Sequence, residues 1–108
     1  MARLSNLLEL DGCLPTITEH GIKEIAKLKN VTTLSLIDSK ITDRDLKAIG
    51  ELSNLRKLNL HGNPISDQGL SKLAGLTKLV ELDVTSTLVT KKGRQNFINV
   101  LPQCDVKR

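Results

Sequence analysis

Few side chains in this 108-residue sequence could do chemistry: two histidines, two cysteines and twelve carboxylates. His61 follows Asn59 by two residues, and Asp83 stands 24 positions beyond Asn59. If the two segments lie side by side, His61 becomes a general base beside an orienting carboxylate. Such a base needs a nucleophile and a pocket that excludes water, and no Ser or Cys stands at a matching position. His61 is therefore read as an exposed side chain, and His20, at a helix start, as solvent-facing. Asp11, Asp83 and Asp105 share a column, but Ser35 and Asn59 interrupt it and no calcium-loop pattern is present. Cys13 and Cys104, near opposite ends of the chain, make neither a disulfide framework nor a metal site, and both are read as small, reduced, buried side chains. The expectation is a chain that is not an enzyme and uses no metal or cofactor.

Charge and composition exclude further classes. Sixteen Lys and Arg against twelve Asp and Glu leave +4. Lys23, Lys27, Lys29, Lys47, Lys72, Lys78, Lys91 and Lys92 are spread among acids, without aromatic residues on which bases could stack. Nucleic acid is not an expected partner. No apolar run approaches the roughly 18 residues of a membrane span, and Met1 to Leu14 lacks the plan of a signal peptide, so no membrane association and a cytoplasmic location are expected. Apolar residues make up 39%, yet Phe97 is the single aromatic. A core of Leu, Ile and Val alone suggests many similar small packing sites.

The elements that position these residues come from an internal repeat. Shifted by 24, Ile41-Thr42-Asp43-Arg44-Asp45-Leu46 falls on Ile65-Ser66-Asp67-Gln68-Gly69-Leu70, with weaker copies from Ile17 and Val89. The same shift relates Ile25, Ile49 and Leu73, and then Leu34, Leu58 and Leu82. From Leu46 the apolar residues advance by three, through Ile49, Leu52 and Leu55, as on one side of a short helix. Thr18, Thr42, Ser66 and Thr90 precede each helical stretch, where a hydroxyl can cap it, and Thr42 with Asp45 forms a capping box. After Leu55 the step shortens to Leu58 and Leu60, which share one face of a strand. Strands are predicted at Leu8–Leu10, Leu34–Leu36, Leu58–Leu60, Leu82–Val84 and Cys104–Val106. Three residues beyond the second strand leucine stand Cys13, Ser39, Asn63 and Thr87, all able to satisfy backbone groups where the chain turns inward.

The run Leu55-x-x-Leu58-x-Leu60-x-x-Asn63 resembles the leucine-rich repeat. The likeness is closest to the cysteine-containing, Ile-Thr-Asp-x-Gly-Leu subtype of F-box substrate receptors and bacterial repeat proteins. It implies an α/β solenoid with a short parallel sheet on the concave face and short helices on the convex face. The chain is expected to be a single domain, with units at about 1–16, 17–40, 41–64 and 65–88 and a C-terminal cap at 89–108. Strands spaced about 4.8 Å apart put Cys13 and Cys104 beyond disulfide reach.

Helices on one side leave the other side of the sheet bare. There the solenoid presents a polar platform centred on Ser35, Ile37, Lys57, Asn59, His61, Glu81 and Asp83, where such repeats bind protein partners. The scarcity of Trp, Tyr and Arg on this face argues against a tight interface. A rival expectation comes from the crowded Leu4, Leu7, Leu8, Leu10 and Leu14. It is a structural role, as the tail of a longer or engineered array, or self-association through the N-terminal edge.

Overall fold

The structure, a computed structural model, describes Lys23, Lys27 and residues 30–108, and the backbone alone of Leu7–Leu10. Five strands, β1 (Leu7–Leu10), β2 (Thr33–Leu36), β3 (Lys57–Asn59), β4 (Glu81–Asp83) and β5 (Asp105–Lys107), form one parallel sheet in chain order. Helices α1 (Asp43–Ile49), α2 (Asp67–Ser71) and α3 (Lys91–Val100) alternate with them. Leu8, Leu34, Leu58, Leu82 and Val106 pair in one register across the sheet. The two-residue step buries Leu34 with Leu36 and Leu58 with Leu60, and these side chains share one cluster with Leu46, Ile49, Leu70, Leu73 and Phe97 from the helical side. The chain is thus an α/β solenoid, as its resemblance to leucine-rich repeats implies.

After β2, β3 and β4, Asp38 (φ 50°), Gly62 (φ 77°) and Ser86 (φ 57°) occupy equivalent places, so these three units turn through the left-handed region there. Asp and Gly tolerate that region best. The buried Asn63 closes its bend from both sides. Its Oδ1 accepts from the amides of Ser39 (3.0 Å) and Ile41 (2.9 Å) in the preceding unit, and its Nδ2 donates to the carbonyls of Leu36 (2.7 Å) and Leu60 (2.9 Å). The buried Ser39 donates to the Ile37 carbonyl, and the half-buried Thr87 donates to that of Val84. The expected polar ladder is present from Ser39 onward; Cys13 lies outside the described residues.

A second set of bonds runs between helix starts. Asp43 accepts from the amide and hydroxyl of Ser66, at 2.8 and 2.5 Å, and Asp67 accepts from those of Thr90, at 2.8 and 2.6 Å. Each carboxylate therefore holds the residue before the next helix. The glycine three residues after each held residue, Ser66 or Thr90, follows from this geometry. A Cβ on Gly69 would lie 2.2 Å from Asp43 Oδ1, and one on Gly93 would lie 2.0 Å from Asp67 Oδ1. At the matching position of the earlier unit stands Asp45, and there the carboxylate takes the Thr42 amide (3.0 Å) and hydroxyl (3.2 Å) itself.

The last unit departs from expectation. The strand predicted at Cys104–Val106 lies at Asp105–Lys107, and Val106 pairs with Leu82. The unit keeps its length from Leu82 to Val106, but the turn before its strand comes one residue late: the Cys104 amide donates to Leu101, just as Leu55 donates to Leu52 and Leu79 to Leu76. Cys104 thus fills the leucine niche before the strand, with one residue fewer ahead of Val106. Arg94, where other units have Leu46 and Leu70, is half-buried and donates from Nε to the Val106 carbonyl at 2.8 Å. Phe97 is buried at the place of Ile49 and Leu73. Thr18, Ile25, Asp11, His20 and the side chains of Leu4, Leu7, Leu8, Leu10 and Leu14 lie outside the described residues.

Two stability outcomes follow. Asn63→Ala strips partners from several buried backbone groups at once, and a loss of about 3 kcal/mol or more is expected in urea unfolding; a loss below about 1 kcal/mol would show that the bend is satisfied otherwise. For Asp67, hydrogen bonds from the Thr90 hydroxyl and amide, aided by the Arg108 charge and opposed by slight desolvation, hold the carboxyl below its ordinary value. Its stabilisation is complete above the usual Asp pKa near ~3.9 and fades as pH falls through the lowered one. Between about pH 5 and pH 2, the unfolding midpoint of Asp67→Asn should therefore fall less than that of wild type. Parallel curves for the two proteins would exclude the clamp.

Candidate functional site

The bare sheet face is a lattice set by register. One row runs Thr33, Lys57, Glu81 and Asp105; the next runs Ser35, Asn59, Asp83 and Lys107. Each residue of the first row precedes a buried Leu or Val of its own strand and each of the second follows one, so the pleat turns it outward. Lys57, Glu81, Asp105 and Lys107 are exposed, while Ser35, Ile37, Asn59, His61 and Asp83 are half-buried. Thr33, Ser35, Lys57, Asn59, Glu81, Asp83 and Lys107 line an open depression of about 290 Å³. Of the residues predicted from the sequence, Ser35, Lys57, Asn59, Glu81 and Asp83 stand in these rows, and Ile37 and His61 lie just past the ends of β2 and β3. Thr33, Asp105 and Lys107 share the rows and were legible in the same alternation.

Two of the seven are also engaged by their own strands. Asn59 Oδ1 accepts from the His61 amide (3.0 Å), and Asp83 Oδ1 accepts from the Thr85 amide (2.9 Å), the same local turn one unit apart. Their polar ends therefore lie along the sheet and terminate the strands. Asp83 does not orient His61 directly, as the spacing suggested. It acts through Thr85, whose hydroxyl lies 2.7 Å from Asp83 Oδ1 and 2.5 Å from His61 Nδ1. A hydroxyl has one proton to give and a carboxylate only accepts, so Thr85 donates to Asp83 and accepts from His61 Nδ1–H. That assignment leaves Nε2 of the neutral ring as an acceptor. Thr85 was missed as a site residue because its role depends on a neighbour 24 positions away.

Cys104 has no place in this face. Burial, reinforced by the charges of Asp105 and Glu81, pushes its thiol up to about 11, so it stays protonated and unreactive at neutral pH. Among the described residues no three His, Cys, Asp or Glu side chains converge to hold a metal ion, and no helix is long and apolar enough to cross a membrane.

Comparison with known proteins agrees with this architecture. Residues 51–74 match the leucine-rich repeat family model. No curated protein matches the chain in sequence. Among solved structures, the chain is similar to one from Chaetomium described as the Mex67:Mtr2 subunits, at 22% identity and a TM-score of 0.77, over 99% of this chain and 81% of that one. An internalin from Listeria monocytogenes is more distant, at 16% identity and a TM-score of 0.48, over 79% of this chain and 36% of that one. At these identities the Chaetomium likeness is one of fold alone, and the internalin carries no argument. The chain is a leucine-rich-repeat solenoid, and its segment 51–74 is the unit in which the family pattern itself is matched.

Proposed function

We propose that this protein is a non-catalytic protein-interaction module that binds a partner through the concave sheet face, centred on Ser35, Ile37, Lys57, Asn59, His61, Glu81 and Asp83. The observation that carries this reading is the pair of polar rows held in strict register, with no helix of the described residues over them. A parallel sheet normally has both faces covered, so a bare one leaves outward side chains available to a partner at no cost in displaced structure. The Asp83–Thr85–His61 chain adds a ring oriented through its Nδ1, beside a half-buried Ile37. These groups suit a moderate, mixed-polarity interface, since they include no Trp, Tyr or Arg of the kind that anchors tight ones.

Kinship with the Ile-Thr-Asp-x-Gly-Leu subtype forms part of the proposal, supported by the Asp43 and Asp67 clamps over Gly69 and Gly93. So does a cytoplasmic location, supported by a buried, unreactive Cys104. A second reading, self-association, rests on β1, which lies at one end of the sheet and pairs with β2.

Affinity capture from lysate should recover proteins with wild type and with the convex variant Lys47→Glu, and lose them with the Ile37→Asp, Lys57→Glu double variant. Equal recovery by all three would overturn the concave-face reading. For self-association, light scattering should show mass rising with concentration and a Leu4→Lys, Leu7→Lys variant that stays monomeric; a wild-type monomer throughout the series defeats that reading.

A further inference from the structure

The C-terminal end of the solenoid carries a surface that the concave-face reading does not use. Lys91, Arg94, Gln95, Asp105, Val106, Lys107 and Arg108 line an open depression there, four cations against one carboxylate. Lys92 adjoins it, and the first turn of α3 contains no acidic residue. The two arginines are not free-swinging. Arg94 donates from Nε to the Val106 carbonyl at 2.8 Å, and Arg108 donates from Nε to the Val89 carbonyl at 3.0 Å. Each guanidinium is pinned by one nitrogen, which leaves its terminal nitrogens to be offered in a fixed plane. A pinned planar fork loses little freedom on meeting a carboxylate or phosphate and suits bidentate contact. Asp67 lies near enough to Arg108 to feel its charge, but its oxygens are already taken by Thr90.

We propose that this end face docks an acidic peptide segment of a protein partner, its carboxylates or phosphates received by Arg94 and Arg108 and its approach favoured by Lys91, Lys92 and Lys107. Charge complementarity selects an acidic occupant. The composition selects peptide over nucleic acid, because the single aromatic side chain, Phe97, is buried and no ring is left on which bases could stack.

The test is a titration with an oligoglutamate peptide, with the same peptide bearing phosphoserines and with a single-stranded oligonucleotide of equal charge, followed by NMR. The arginine Nε–H signals and the amides of residues 91–94 and 105–108 should shift saturably with either peptide, more weakly as salt is raised. Lys91→Glu, Lys92→Glu is the chosen variant, because acids in the first turn of a helix favour it and the fold should survive. It should weaken peptide binding about tenfold. The Ile37→Asp, Lys57→Glu variant should bind the peptides as wild type does, which separates this surface from the concave face. Absence of saturable shifts, unchanged affinity in the Lys91→Glu, Lys92→Glu variant, or tighter binding of the oligonucleotide than of either peptide would each overturn the proposal. Preference for the phosphoserine peptide would assign the forks to phosphate, and equal binding would assign them to carboxylates; both uphold it.

Discussion

A chain that turns inward after every strand carries backbone N–H and C=O groups into a place that water does not reach, and each such group needs a partner. Here the partner is a side chain from the neighbouring unit. Asn63 gives one amide to the bends of two successive units, receiving Ser39 and Ile41 on its oxygen and serving Leu36 and Leu60 with its nitrogen. This arrangement fixes the distance between units. It also fixes the register of β2 on β3, and with it the rows of outward side chains. The leucines supply the driving force of burial, but they would tolerate small slips that the amide does not.

The fold was legible in the sequence because its constraints repeat. A three-residue step, a two-residue step and a polar position three residues later recur at one offset, and each recurrence removes an alternative. The motif Ile65-Ser66-Asp67-Gln68-Gly69-Leu70 could be matched but not explained from sequence alone, since the reach of Asp43 over Gly69 is a contact between units. Reading failed where repetition ends. In the last unit, Leu101-x-x-Cys104-x-Val106 imitates the strand template while filling the turn that precedes it, and hydrogen bonding, not spacing, separates the two. The substitution at Arg94 was visible as a break in the leucine column, but its bond to Val106 was not.

The candidate site was legible to a different degree. Alternation along a strand identifies which side chains point outward, and Ser35, Lys57, Asn59, Glu81 and Asp83 follow it. It does not say what those side chains are already doing. Asn59 and Asp83 spend one oxygen on their own strand ends, and Thr85, a residue without notable chemistry of its own, decides which nitrogen of His61 carries the proton. The face is therefore more ordered than a list of polar residues suggests, and part of its polarity belongs to the architecture.

The bonds between helix starts have a direction. Asp43 holds Ser66 and Asp67 holds Thr90, so in both pairs the carboxylate of the earlier unit completes the cap of the one that follows. Losing a later unit leaves behind a carboxylate that water can solvate, whereas losing an earlier one leaves a helix start with unpaired amides. Cooperativity along this solenoid is accordingly asymmetric, running from the N-terminal side toward Arg108. Thr42 is the exception, since Asp45 caps it from within its own unit. The start of α1 is therefore capped from within, while Asn63 still ties its unit to Leu36 and Ser39 before it.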